Sequence, residues 1–432
     1  MAWYPRTVRR TAGVASLVAA SVASAGAVAA CGSKDAAPAS SDDGGDAGTT
    51  SAVSSDLPFD GITAEQLTRF NEGDALFNVS YREADGRGPL YIRNGCGSCH
   101  AEVARGPGLV QKMAVVLADG FTPAPDQSKL TFGHTVVPLL AGGAKTPIDA
   151  PVGDTSVKVT IRIGPPVMGH GYMEAVADSE IERMEKAQAS VKGWHIHGRI
   201  NRVTYPSEAN PDTTFHAHKK GDTNLIGRFG LKARNATIDD FIAGALLGDI
   251  GITSPMRPVE NPNPDGLKDD AKPGIDVPVD RVNKIAFYVR TLAIPPRNGL
   301  TPEGAKLFTD MGCATCHVPS LKTRADYPIA QLANIDAPVF TDFLLHDMGT
   351  DLADGLPKDS IDGQADSREW RTGALIGLRY SKTFMHDGRA KTVEESILMH
   401  DGPGSEATPC IVQFKLLAPA DRATLVHYVE AL

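Results

Sequence analysis

With 432 residues, a hydrophobic share of 42% and an aromatic share of 6%, the chain has enough apolar material for two or three packed cores. A formal net charge of −9 argues against nucleic acid as a partner, because a polyphosphate surface draws basic proteins. Beyond the first thirty residues no apolar run is long enough to span a bilayer.

Taken in chain order, residues 1–31 read as an export signal. Arg6, Arg9 and Arg10 precede a small-residue apolar stretch from Val14 to Ala30, which ends at Cys31-Gly32. That ending resembles the lipobox of bacterial lipoproteins, so Cys31 is the expected lipidation site and mature N-terminus. Residues 32–57 form a flexible linker, with Ser, Asp and Gly concentrated between Ser40 and Ser55. The fold is therefore expected on the periplasmic side of a bacterial membrane, the outer membrane being favoured. Its contact with the membrane would be through the lipid anchor alone.

The signature Cys-x-x-Cys-His then occurs twice, as Cys96-Gly97-Ser98-Cys99-His100 and Cys313-Ala314-Thr315-Cys316-His317. Two thiols at this spacing reach one edge of a porphyrin, and the next histidine is aimed at the iron. A redox dithiol or half a zinc site needs no histidine at that position, let alone twice. The expected cofactors are two covalently bound c-type haems, with His100 and His317 as iron ligands.

Each signature follows the same helix fragment, Glu72-Gly73-Asp74-Ala75-Leu76-Phe77 and Glu303-Gly304-Ala305-Lys306-Leu307-Phe308. The second opens on Thr301-Pro302, a capping hydroxyl and a proline suited to the first helical turn. A second repeat closes each unit: Lys284 to Leu292 aligns with Thr424 to Leu432, with Tyr288 matching Tyr428 and Val289 matching Val429. This order predicts a mainly α protein of two cytochrome c-like domains, 58–297 and 298–432. The first carries a large insertion of short strands and long loops. Within it Val157, Val159, Ile161 and Ile163 alternate with polar residues as a strand does. Asn261 to Pro278 reads as a surface loop, and Pro295 to Gly299 as the linker between domains.

A haem iron held by one histidine needs a sixth ligand for electron transfer, or an open face for chemistry. Thr392 and Glu395 form a capping box that opens a helix expected to run to about His400. On it Val393, Ile397 and His400 share a face, which makes His400 the preferred distal ligand of the second haem and Met348 the alternative. Around the first haem, Met168, His170 and His134 are possible ligands, or the site is open. Trp370 and Trp194 are candidates for a bridge between the haems. Cys410 has no evident partner.

The segment His386-Asp387-Gly388 with Thr392-Val393-Glu394-Glu395 resembles the signature of bacterial di-haem cytochrome c peroxidases. A closer resemblance is to the di-haem oxidoreductase family, also labelled thiol oxidoreductase. It rests on Arg228 to Ala233, Gly248 to Pro255, Leu344 to Gly349, Arg368 to Thr372 and the His386 segment. The resemblance implies that His400 stands where the peroxidases carry a distal methionine. It also implies that Glu174 is a distal acid–base group at the first haem, moving a proton between peroxide oxygens. Ser381 and Thr383 stand where the peroxidases use threonine and proline as calcium ligands, so calcium is an open rather than an expected cofactor. The function these features imply is a peroxidase-like oxidoreductase. Its second haem would take electrons from a small donor protein or respiratory-chain component and relay them to a reactive first haem that meets hydrogen peroxide. The alternatives are a non-catalytic di-haem electron carrier, and an oxidase of a thiol or protein substrate acting through a high-valent haem.

Overall fold

The computed structural model describes residues 56–103, 108–190 and 195–432. Residues 1–55, with the signal segment, Cys31 and most of the linker, lie outside the described residues, as does Trp194. The described residues lie within one compact unit, Val53–Leu432.

Two pairs of crossing helices frame this unit. Helix α1 (Ala64–Phe77) opens the first half on a complete capping box between Thr63 and Gln66. Next come strands β1 (Leu90–Tyr91), β2 (Leu109–Val115), β3 (Leu139–Leu140) and β4 (Val157–Ile163) and helices α2 (His170–Ala175) and α3 (Asp178–Ser190). Strands β5 (Arg202–Val203) and β6 (Leu225–Ile226) and helix α4 (Ile238–Ala245) lead to α5 (Val279–Thr291). The second half opens on α6 (Pro302–Asp310), capped by Thr301 with proline in the first turn. It continues through β7 (Leu321–Lys322), β8 (Asp336–Ala337), β9 (Leu345–Asp347) and β10 (Glu369–Arg371). Helices α7 (Val393–Leu398), α8 (Thr408–Leu416) and α9 (Pro419–Glu430) complete it. Every described sheet is a single antiparallel pair. The protein is mainly helical, its strands serving as short clasps in long loops.

The repeated sequence fragments are the helix crossings themselves. Helix α1 packs on α5, and α6 packs on α9. A side chain at Gly73 would meet the Lys284 carbonyl at 2.3 Å and the Tyr288 Cβ at 2.5 Å; at Gly304 it would meet the Tyr428 Cβ at 2.6 Å. The glycine in each Glu-Gly fragment is therefore what lets the axes approach. Phe77 packs at 5.3 Å and a tilt of 50° against Tyr288, and Phe308 at 5.6 Å and 51° against Tyr428, so both halves use the same aromatic contact beside the same crossing.

The expected strand at 157–163 is present and pairs with 109–115. Its apolar alternation faces outward in part, with Val159 41% and Ile161 36% exposed. The reason is Arg162, which points inward to Asp354 (2.7 Å) and Asp362 (2.6 Å). Buried Lys232 joins the same carboxylates, 3.0 Å from Asp354. A buried cation left without its carboxylate is costly, so this network fixes the strand's face and ties the insertion to the second half. Gln188 of α3 makes a second tie, donating to the Thr315 carbonyl (3.2 Å) and to Asp342 (2.8 Å).

Gly73→Ala should lower stability by about 1–3 kcal/mol through overpacking at the crossing. Gly244→Ala, on α4 with only an ordinary contact at 3.8 Å, should stabilise by up to about 1 kcal/mol through helix propensity. Thermal unfolding of the two variants measures both.

Candidate di-haem site

Both Cys-x-x-Cys-His segments fold the same way. Cys96–Ser98 and Cys313–Thr315 are 3-10 turns, in which the histidine amide donates to the first cysteine's carbonyl, His100 to Cys96 at 2.9 Å and His317 to Cys313 at 3.0 Å. No disulfide joins the cysteines. Burial pushes the Cys96 and Cys313 thiols up to about 12. Half-buried thiols followed at once by a histidine whose ring is fixed by a carbonyl fit haem attachment.

The ring orientation of each histidine is set by its backbone partner. His100 Nδ1 meets the Pro165 carbonyl at 2.9 Å, and His317 Nδ1 meets the Phe340 carbonyl at 3.2 Å. A carbonyl only accepts, so the ring proton sits on Nδ1 and Nε2 is left with a free lone pair. Burial, helped by neighbouring His400, depresses the His317 ring to about 4, and burial lowers His100. Both rings are neutral, as a metal ligand must be.

His400 faces His317. Helix α7 ends at Leu398, two residues short of the expected end, because the last turn tightens and His400 donates its amide to the Ile397 carbonyl. This leaves His400 Nδ1 2.7 Å from the Ser396 carbonyl, so its Nε2 is also free. The two ring centres are 6.5 Å apart. Two metal–nitrogen bonds of about 2.0 Å plus the two half-rings span roughly 6 Å. The separation therefore suits a single iron held between the rings. Around them lies a largely apolar cavity of about 300 Å³ bordered by Cys313, Cys316, Phe308, Leu425 and Val429, and the residues present fit a haem. Met348 also lines this cavity, with its backbone tied to Arg368 and Ser405. Cys410 lines it too, beside Gly312, where a side chain would meet the Cys410 sulfur at 2.8 Å.

Beneath the second motif, His346 is held by two carboxylates, Nε2 to Asp342 at 2.9 Å and Nδ1 to Glu406 at 2.8 Å. Both ring nitrogens must donate, so the ring is an imidazolium. Burial opposes that charge, but the Asp342 carboxylate holds the ring well above the usual imidazole range. Asp342 stands four residues before His346, whereas Glu406 lies 60 positions away and no local pattern announces it.

The segment from Pro165 to His170 links the two motifs. Its start supports the first: Pro165 receives the His100 proton, and the Val167 amide bonds the Val103 carbonyl at 2.8 Å. Its end lines the cavity of the second through Pro166, Met168 and His170. Buried His170 stacks on Phe229 at 5.4 Å, and burial, Arg371 and His100 among its causes depress it to about 4. His134 instead points Nδ1 at the Met113 carbonyl, 3.0 Å away. Trp370 also lines the cavity, stacked on His386 at 3.9 Å. Arg371 lines it as well, makes only carbonyl hydrogen bonds, and has no ion pair among the described residues.

Glu174, at the far end of α2, has its carboxylate fully engaged. It accepts from Arg290 (2.6 and 3.1 Å), the Ile238 amide (2.9 Å) and the Tyr327 hydroxyl (2.9 Å). Burial alone would raise its pKa, but Arg290 and these donors bring it below the usual value. The two residues that make this arrangement, Arg290 and Tyr327, were absent from the sequence reading; they lie 116 and 153 positions away from Glu174.

The sequence model of the family described as "Di-haem oxidoreductase, putative peroxidase" matches residues 145–432, two thirds of the chain. The chain belongs to this family. The matched part contains the second motif, His400 and Glu174; the first motif lies N-terminal to it. No curated protein matches the chain. Among solved structures, hydrazine synthase of Kuenenia stuttgartiensis is 15% identical over 86% of this chain and 88% of its own, at a TM-score of 0.35. The diheme peroxidase BthA of Burkholderia thailandensis E264 is 14% identical over 84% and 85%, at 0.38. Such scores mark remote likeness only. Family membership makes the protein a di-haem oxidoreductase, an enzyme of peroxidase type.

Glu174→Gln should leave buried Arg290 with Asp239, 3.4 Å away, as its remaining carboxylate and cost about 1–3 kcal/mol. Because the folded pKa of Glu174 is lowered, its contribution is present above the unfolded value of 4.5 and is lost as pH falls through the folded value. Chemical unfolding across pH 3–7 should therefore show a shallower acid limb in the variant than in the wild type.

Proposed function

We propose that the protein works as two cytochrome c-like haem units, 58–297 and 298–432, with unequal tasks. The unit at His317 takes electrons from a small redox protein; the unit at His100 reacts with hydrogen peroxide. The observation that carries this is the His317–His400 pair, whose spacing suits iron ligated on both faces and therefore closed to substrate. Haem supplies redox-active iron at each site, and everything else is the work of side chains. His317 and His400 offer Nε2 lone pairs fixed by backbone carbonyls. Arg371, lacking a carboxylate of its own, is placed to pair with a haem propionate. The Pro165–His170 segment, which touches His100 at one end and the second cavity at the other, is the path for electron relay between the centres.

Glu174 acts as a positioning residue: its ion pair with Arg290 anchors α2 and so fixes Met168 and His170, which border the cavity of the second motif. The Cys31 lipid anchor and a periplasmic location complete the reading, supported by the export-type N-terminus. Purely electron-carrying use is the rival, and it requires both irons closed.

His400→Ala should convert one low-spin haem per molecule to high spin, whereas Met348→Leu should leave the optical spectrum unchanged. The reverse pattern would make Met348 the ligand. Peroxide turnover by the wild type should proceed at the His100 site, and a protein inert to peroxide and cyanide in every redox state would leave only the carrier reading.

A further inference from the structure

The loop between Glu260 and Asp276 holds a carboxylate cluster that the redox chemistry does not use. Glu260, Asp270 and Asp276 each offer an oxygen, and these oxygens lie within 4.8 Å of one another. Glu260 Oε1, Asp270 Oδ2 and Asp276 Oδ1 are all buried from water, and none has a hydrogen-bond partner. Asp276 is only 7% exposed. Its other oxygen is fixed by the Thr253 amide (2.8 Å) and hydroxyl (2.6 Å), so the orphaned oxygen is held in place. The second oxygen of Asp270 accepts from the Lys272 amide at 2.6 Å. The Lys272 ammonium attracts Asp270 and Asp276 from nearby, but it bonds the Asp276 carbonyl, 2.6 Å away, and makes no ion pair among the described residues. Asp269, the next carboxylate, is turned to the amides of Asp270 and Gly274.

Three buried carboxyl oxygens without a donor are costly unless a proton or a cation satisfies them. We propose that Glu260, Asp270 and Asp276 form a binding site for a calcium ion. The donors are all hard oxygens with no histidine or cysteine among them, which disfavours zinc and copper. They come from an irregular loop, which suits the adaptable geometry of calcium better than the strict octahedron of magnesium. Oxygens that share a calcium ion at about 2.4 Å lie no more than roughly 4.8 Å apart, a limit these three meet. The mutual repulsion also shows in Glu260, which burial and then its acidic neighbours push up to about 8. This place is separate in sequence from Ser381 and Thr383.

The consequence of binding falls on the first haem unit. Thr253 and Val277 flank the trio. Val277 and Ile252 belong to the buried cluster of Tyr81, Leu246 and Ile250, against which Cys96 packs. An ion in the loop would clamp the outer side of that cluster.

The test uses the haem-loaded protein after chelation, titrated with calcium alone by calorimetry and by thermal melting, beside Glu260→Gln and Asp270→Asn. The wild type should bind one equivalent and melt several degrees higher with calcium. Each variant should bind at least about tenfold more weakly. Without calcium, each should melt no lower than the chelated wild type, since a repelling charge has gone. Absence of binding by the wild type overturns the proposal and leaves a shared proton as the neutralising group. Equal calcium response in the variants also overturns it, because the ion would then sit elsewhere.

Discussion

Because glycine has no side chain, α1 and α6 lie so close to the tyrosines of α5 and α9 that a single added carbon would collide with backbone or Cβ atoms. This close approach brings Phe77 and Phe308 onto those tyrosines, and it fixes where the chain emerges to make each cysteine turn. Phe77 in turn lies 6.3 Å from the His100 ring, and Phe308 borders the cavity that contains His317. Remove the crossings and neither histidine has a defined place.

From that common frame the two halves diverge in what faces the histidine. The second half supplies a short capped helix that delivers His400 to within one metal's reach of His317. The first half supplies the segment from Pro165 onward, which holds His100 from below and then continues into the neighbouring cavity. On the proposed reading, one motif serves two tasks, depending on what the loops place on the opposite face.

Local features were legible in the sequence. The Thr392–Glu395 capping box and the Thr301-Pro302 start each depend on residues a few positions apart, and both appear as read; the two Cys-x-x-Cys-His segments fold as matching turns. The paired Glu-Gly and Tyr-Val fragments signalled a repeat, although only the structure shows that the glycine of one touches the tyrosine of the other. Long-range charge pairing was not legible. Arg290 and Tyr327 on Glu174, Arg162 on Asp354 and Asp362, and Glu406 on His346 join segments far apart in the chain. No periodicity encodes such partners. The same blindness covers the 260–276 loop, which reads as solvated surface by composition and yet buries three carboxyl oxygens.

The central claim is that the two irons are unequal, and quantitative electron paramagnetic resonance of the oxidised wild-type protein tests it most directly. Equal amounts of one low-spin species with two histidine ligands and one high-spin or exchangeable species are predicted per molecule. Two low-spin species that no added ligand perturbs would contradict the account.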